Sequence, residues 1–299
     1  MSLNLLALIG ATLTIATPLV WASIGEVIIE RTGILNLGIE GTMYVGAFVG
    51  FVTAHRTGSP WLGLLAAIIA GALAGVAMGL FSVTLGLNQH VSGLGITLFL
   101  IATCDFTFRL LYTGERPGLE NKFSVLFSST PVLNQHWLTY AGFLLIAPVA
   151  WWTMRSSGMG YRMHAVGENF DAAEVAGISV NRTRYAALAV GGALMAIGGA
   201  FLTLAMLGTF TLDIISGRGW VCIALVIFAR WRIWQAVGGA LLFAVVNALQ
   251  LQLAISPLFS AIPRELMLAL PYLAVIVALI VWGRSVRYPA TYLKAYRRA

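Results

Sequence analysis

Long apolar runs recur along the chain, and they constrain its fold more than any other feature. Charged residues sit mainly in the gaps between these runs; only 10% of the 299 residues are charged, and 59% are hydrophobic. About 20 apolar residues in a helix cross the hydrocarbon core of a bilayer, whereas a soluble domain carries about 25% charged residues. The runs are continuous rather than alternating, which argues against a β-barrel. The sequence therefore predicts an all-α polytopic membrane protein with about nine transmembrane helices.

The predicted spans cover most of the chain, so residues 1–299 are predicted to form a single transmembrane domain. The first covers 5–24, the second ends near 54, and the seventh ends near 229; the others cover 60–85, 88–112, 137–154, 185–207, 235–255 and 265–282. Residues 25–36 leave open a half-span instead of a simple loop. In the third span, Gly71, Gly75 and Gly79 recur every fourth residue, a spacing that predicts close contact between helices.

The basic residues predict the orientation of the spans. With the C-terminus in the cytoplasm, the inner loops and the tail hold most of the 18 Lys and Arg. The tail contributes Arg284, Arg287, Lys294, Arg297 and Arg298. Cytoplasmic loops carry an excess of Lys and Arg, so the sequence predicts an outside N-terminus and a cytoplasmic C-terminus. The same rule accounts for the net charge of +7 without a nucleic-acid partner.

Residues 155–184 form a polar stretch that this orientation places in the cytoplasm. A short helix is predicted over Glu168–Ala176, with acidic residues near its start and Gly177 ending it. Ala172 and Ala173 give it a small-residue surface. A helix this short does not stand alone, so it is interpreted as fitting a groove on another protein. The alternative is an ordinary cytoplasmic loop.

No set of residues in the sequence predicts catalysis, a metal site or a bound cofactor. The phosphate-binding pattern Gly-x4-Gly-Lys-Ser/Thr is absent, and the four histidines lie far apart. The two cysteines stand alone inside apolar runs, where small buried residues are expected. The chain is therefore not expected to be an enzyme, and energy for any uphill transport must come from elsewhere.

Polar groups inside the spans are the candidates for a transport path, because they are costly at bilayer depth. Asn36 and Glu40 lie four residues apart and would share a face if that segment is helical. Asn88, Gln89 and Ser92 open the fourth span. The competing interpretation is that these groups join helices to one another.

Other polar groups within the spans are interpreted as structural. Asp105 and Arg109 lie four residues apart in the fourth span, which predicts an ion pair within one helix. Asn247, Gln250 and Gln252 in the eighth span predict hydrogen bonds between helices.

The stretch VGENFDAAEVAGISVNR at 166–182 resembles the cytoplasmic loop of bacterial ABC-importer permeases of the branched-chain amino acid, ribose and nucleoside class. That pattern has a Gly, an Asn, paired alanines, and a Gly followed by Ile or Val. The residues that match it here are Gly167, Asn169, Ala172, Ala173, Gly177 and Ile178. Phe170 stands where a proline often follows the Asn.

Further motifs are similar to the nucleoside and simple-sugar branch of that class. They are Gly25-Glu26, the segment from Glu30 to Gly41, Asn88-Gln89, Ser92-Gly93 and Gly217-Arg218-Gly219. The resemblance implies a multi-pass subunit of the bacterial inner (plasma) membrane. It also implies a second, different permease, two ABC ATPase subunits and an extracytoplasmic substrate-binding lipoprotein.

In that class a short cytoplasmic helix couples the permease to its ATPase. The resemblance assigns this role to Gly167, Glu168, Asn169, Ala172, Ala173 and Gly177. It implies nucleoside import, with a simple sugar or another small polar solute as the alternative. A further alternative is an ion-coupled secondary transporter, which would purify alone and be indifferent to ATP.

Overall fold

The computed structural model describes residues 5–114, 117–127, 130, 132–254, 264–282, 288–294 and 296. These residues form helices joined by turns and two isolated β-bridges. The helices are α1 Leu5–Glu30, α2 Ile39–Thr57, α3 Pro60–Gly79, α4 Gln89–Leu111, α5 Trp137–Tyr140, α6 Ala147–Ser156, α7 Gly158–Glu168, α8 Phe170–Val175, α9 Val180–Phe201, α10 Arg218–Phe228, α11 Ile233–Ala254 and α12 Arg264–Trp282. π-Helical segments extend α3 and α9 and join α5 to α6; they are Leu80–Thr84, Leu202–Leu207 and Ala141–Ile146.

Six of these helical stretches are long and apolar enough to cross a membrane. They are Leu5–Glu30, Pro60–Thr84, Gln89–Leu111, Trp137–Ser156, Val180–Leu207 and Ile233–Ala254. Two of the other predicted spans correspond to α2 and α12. The predicted seventh span is only the 11-residue α10. Such a helix rises about 17 Å, roughly half the hydrocarbon thickness, so a full seventh span is wrong.

The first two spans meet at a break that the sequence placed only approximately. α1 continues past the predicted end at Ile24 and reaches Glu30. Residues 31–38 are not helical, and α2 begins at Ile39. Asn36 therefore lies in an irregular segment and shares no helix face with Glu40, which corrects that expectation.

Helix α9 occupies the centre of the molecule, where α1, α2 and α3 all pack against it. The glycines of α3 permit this approach, as their spacing predicted. A Cβ at Gly75 would lie 2.0 Å from the carbonyl oxygen of Leu188. A Cβ at Gly71 would lie 2.4 Å from the carbonyl oxygen of Gly192. Side chains at these positions would force the helices apart.

Gly199 of α9 provides a sharp test of this packing. A Cβ there would lie 1.8 Å from the carbonyl oxygen of Met43 on α2, so Gly199→Ala must separate the two helices. We expect a loss of about 1–3 kcal/mol in stability, measured as a lower thermal unfolding midpoint in detergent. Gly238→Ala is the matched control, because Gly238 is also helical and has open space around it. Equal midpoints for the two variants would contradict the close contact between α2 and α9.

The basic tail predicted from the sequence is described only in part. Lys294 is the one basic residue of the predicted tail set that the structure describes. Arg284, Arg287, Arg297, Arg298 and residues 256–263 lie outside the described residues.

Candidate functional site

The non-helical segment 31–38 is buried, so its backbone polar groups need partners inside the protein. The amide of Leu35 donates to Gln89 Oε1 of α4 at 2.8 Å. The hydroxyl of Thr97 on the same helix donates to the carbonyl oxygen of Leu37 at 3.0 Å. Gln89, predicted to line a path, thus holds the break in shape.

Asn36 joins this segment to α1. Its Nδ2 donates to Glu26 Oε2 at 3.1 Å, and its Oδ1 accepts from the amide of Gly38 at 3.1 Å. Glu26 and Glu30 lie within α1 and are fully buried. The sequence interpretation ended the first span at Ile24 and so missed both carboxyl groups as members of a helix.

Glu40 caps the N-terminus of the half-length helix α10. Its Oε1 accepts from the amide of Gly217 at 2.8 Å, and its Oε2 accepts from that of Gly219 at 2.6 Å. Amides at the start of a helix have no partner within it, and the helix dipole favours a negative charge there. The carboxyl group of Glu40 is therefore occupied in joining α2 to α10.

This contact explains the Gly-Arg-Gly motif. Gly217 has φ of 78°, in the left-handed region that favours glycine. A Cβ at Gly219 would lie 2.6 Å from Glu40 Cα. Arg218 donates to the carbonyl oxygens of Ile214 and Ile215 and so supports the turn before α10.

The other end of α10 is held by the end of α1. The indole Nε1 of Trp231 donates to Glu30 Oε2 at 2.5 Å, and Tyr292 donates to Glu30 Oε1 at 3.1 Å. Arg31 Nε donates to the carbonyl oxygen of Trp231 at 2.9 Å. Carboxyl groups on both sides of the break thus fix the two ends of α10.

Asn88 and Ser92 lie away from these contacts. Asn88 is exposed and caps α4, where its Oδ1 accepts from the amides of His90 and Val91. Ser92 is buried on the first turn of α4. Both residues line an apolar groove of about 660 Å³ between α3 and α4.

An aromatic cluster that the sequence did not predict lies between α2, α4 and the segment before α10. Its members are Tyr44, Phe48, Phe51, His55, Phe108, Tyr112 and Phe210. Tyr44 of this cluster also donates a hydrogen bond to Asp105 across the α2–α4 contact. Among the described residues Asp105 has no ion pair with Arg109, so the predicted pair within α4 is wrong. Only the long-range packing of α2 on α4 could have indicated Tyr44 as the partner.

The predicted short helix is two elements rather than one. Glu168 ends α7, and α8 begins at Phe170, so the predicted start at Glu168 was two residues early. Asn169 lies between them and accepts from the amides of Asp171 and Ala172. Gly177 ends the helix as predicted, with φ of 77° and its amide donating to the carbonyl oxygen of Glu174.

Of the residues that the resemblance assigned to coupling, some are exposed at α8 and others are buried. Ala172 is exposed, as are Glu168, Asn169 and Gly177. Ala173 is 2% exposed and packs with Val166 and Val180. Gly167 is also buried, and a Cβ there would lie 2.1 Å from the carbonyl oxygen of Arg31. Gly167 and Ala173 are therefore internal, so Ala173 does not contribute to the small-residue surface that the sequence predicted for it.

The exposed face of α8 contains an apolar side chain that the motif did not indicate. Val175 is 92% exposed. It follows Ala172 by three residues and so lies on the same side of the helix. Ala176 and Asp171 are exposed beside them.

Arg184 connects α8 to the break between α1 and α2. Its guanidinium lies 4.3 Å from the centre of the Phe170 ring, and its Nε donates to the carbonyl oxygen of Thr32 at 3.2 Å. The sequence placed Arg184 in a loop, but α9 begins at Val180 and Arg184 is completely buried.

Residues 288–294 and 296 make a second connection between α8 and the break. Tyr296 donates to Glu174 Oε2 on α8 at 2.7 Å. The amide of Thr291 donates to the carbonyl oxygen of Gly167 at 3.0 Å. The amide of Leu293 donates to the carbonyl oxygen of Gly33 at 3.2 Å. A displacement of α8 would therefore be transmitted to residues 31–33.

The described residues contain no group of three or more His, Cys, Asp or Glu that could hold a metal ion. What they do contain is a buried break, a half-length helix fixed at both ends, and an exposed short helix linked to the break.

Comparison with known proteins gives a consistent result. Residues 8–280 match the model of a family described as "Branched-chain amino acid transport system / permease component". The guanosine ABC transporter permease protein NupQ of Bacillus subtilis is 32% identical over 291 residues, covering 91% of this chain and 90% of that protein. The putative glucose ABC transporter permease protein TsgC13 of Haloferax volcanii is 33% identical and covers 97% of each chain. The nucleoside ABC transporter permease protein NupC of Lactococcus lactis is 32% identical and covers 95% of each chain.

Proposed function

We propose that this chain, which belongs to the family of permease components of branched-chain amino acid transport systems, forms the membrane path of an ATP-driven nucleoside importer. It is a multi-pass, non-catalytic subunit of an ABC transporter, and transporters of this kind work with ATPase and binding-protein partners. We further propose an outside N-terminus, a cytoplasmic C-terminus, a second and different permease as partner, and a lipoprotein that delivers substrate. The membrane would be the bacterial inner membrane.

The exposed face of α8 is the single observation that supports coupling to an ATPase most directly. Ala172 and Val175 present a small apolar surface, and α8 is linked to the break through Arg184 and Tyr296. In this proposal residues 155–184 lie in the cytoplasm, and an ATPase cleft receives this face. Glu168, Asn169 and Gly177 shape the exposed surface, while Gly167 and Ala173 support it from within.

We place the transport path beside the broken segment 31–38. Asn36, Glu40 and Gln89 hold the segment and α10 in position through hydrogen bonds, so their contribution to the path is its shape. Asn88 and Ser92 would lie at the edge of the path, next to the groove between α3 and α4.

The names of two relatives, for guanosine and for nucleosides, support nucleosides as the substrate. The relative named for glucose supports a simple sugar as the alternative. Uptake by cells with and without this subunit distinguishes the two. We expect loss of the subunit to abolish high-affinity uptake of labelled guanosine or another nucleoside and to leave glucose uptake unchanged.

The complementary result would favour the sugar. If glucose uptake alone depends on the subunit, the substrate assignment is wrong but the importer assignment stands. Affinity purification of the tagged chain tests the importer itself, because ATPase subunits should copurify. A chain that purifies alone and transports without ATP would be a secondary transporter.

A further inference from the structure

A basic cavity of about 470 Å³ lies between the ends of α1, α6 and α11, and nothing in the proposed transport cycle uses it. Its residues come from four places in the chain. They are Arg31, Trp151, Met154, Arg155, His164, Trp231, Arg232, Ile233, Trp234 and Gln235. Three of these are arginines, and no Asp or Glu is among the described residues that line the cavity.

The charge of this cavity is concentrated and only partly neutralised by its surroundings. Burial lowers the pKa of Arg31; nearby Glu168 opposes this shift, whereas the positive charge of Arg232 adds to it. Arg31 Nε donates to the carbonyl oxygen of Trp231, while Arg155 and Arg232 are exposed. Such an arrangement of guanidinium groups suits a phosphate, whose oxygens accept paired N–H donors.

The position of the cavity favours a lipid as the source of that phosphate. Trp151 lies near the end of one candidate span, and Trp234 lies at the start of another. Both indole rings are exposed, and the guanidinium of Arg155 lies 5.4 Å from the centre of the Trp151 ring. Exposed tryptophans at the ends of spans mark the depth of the lipid headgroups.

An apolar crevice of about 190 Å³ adjoins the basic cavity, and Met154 lines both. The crevice lies between α1, α6, α7 and α9, and Ile28, Val149 and Leu194 are among its apolar residues. A basic cavity at headgroup depth with an apolar crevice beside it matches the two chemical halves of a phospholipid.

We propose that this cavity binds an anionic phospholipid from the leaflet on the side of α8. The arginines hold the phosphate, and one acyl chain enters the crevice beside Met154. The residues that line the cavity do not include the exposed face of α8, so the lipid and the proposed ATPase contact occupy different surfaces. Basic cavities between membrane helices bind anionic headgroups in this way.

The test is native mass spectrometry of the delipidated complex, titrated with phosphatidylglycerol or phosphatidylcholine that carry the same acyl chains. We expect preferential retention of phosphatidylglycerol. Arg155→Gln and Arg232→Gln should each weaken its retention roughly fivefold, the effect expected for one basic residue at an anionic headgroup. Arg155→Lys and Arg232→Lys should retain most of the binding, which separates charge from misfolding. Arg162→Gln is the matched control, because Arg162 is exposed on α7 and does not line the cavity.

Three results would overturn the proposal. The first is equal retention of the two lipids. The second is displacement of phosphatidylglycerol by sn-glycerol 3-phosphate at equal concentration, which would identify a site for soluble phosphates. The third is loss of the ATPase subunits from the Arg155→Gln complex while lipid is retained, which would identify a protein contact.

Discussion

Glu40→Ala is expected to abolish uptake and to destabilise the protein strongly. The carboxyl group accepts from two backbone amides at the start of α10, and each hydrogen bond to a charged group contributes about 1.5–3 kcal/mol. Alanine would remove the acceptor from both amides, of which that of Gly219 is buried and that of Gly217 is half-buried, at a total cost of about 3–6 kcal/mol. That loss is a large fraction of the roughly 5–15 kcal/mol typical of folded proteins. Uptake and the thermal unfolding midpoint should fall together.

Two further variants separate the charge of Glu40 from its geometry. Glu40→Gln keeps the shape but offers one acceptor oxygen, so it should fall between wild type and alanine. Glu120→Gln removes the same charge at an exposed position and should leave both measurements unchanged. A Glu40→Ala protein with normal stability and normal uptake would show that α10 does not depend on this cap.

The second large effect is expected at α8, where Ala172→Trp should stop uptake without removing the protein from the membrane. The indole would stand on the exposed face next to Val175, where we propose that an ATPase cleft fits closely. A misfit of about 1.4 kcal/mol weakens docking roughly tenfold, and a side chain of this size costs that much or more. We expect a loss of uptake of roughly tenfold or more, with ATP hydrolysis continuing but no longer responding to substrate.

Ala173→Trp and Ser156→Trp are the comparison variants. Ala173 is buried against Val166 and Val180, so its variant should lower the amount of folded protein. Ser156 is exposed at the end of α6 rather than on α8, and its variant should behave as wild type. Normal substrate-stimulated hydrolysis and uptake in Ala172→Trp would refute the proposed docking face.

The helical class of the fold was predictable because it depends on composition and on the lengths of apolar runs. The glycine spacing of α3 and the stop at Gly177 were predictable as well, since both are local properties of the chain. The length of α10 was not, because a half-length helix is defined by what holds its two ends. Those partners, Glu30 and Glu40, are distant in sequence.

The residues of the candidate site were found more readily than their roles. Asn36, Glu40 and Gln89 stood out as polar groups at bilayer depth, but the structure assigns them to hydrogen bonds within the protein. Ala172 and Ala173 are adjacent and chemically identical. Only the packing of Val166 and Val180 decides which of them faces outward.

The bond between Glu40 and the start of α10 also has a consequence for biosynthesis. Its two partners, Glu40 and Gly217, are 177 residues apart. At a synthesis rate of about 5–20 residues per second, roughly 10–35 seconds pass between the appearance of one and the other. During that interval α2 enters the membrane with a carboxyl group that has not yet met the amides it will bind. The contacts of the N-terminal half are therefore completed only when the C-terminal half arrives, and a chain truncated before residue 217 would lack the amides that Glu40 binds.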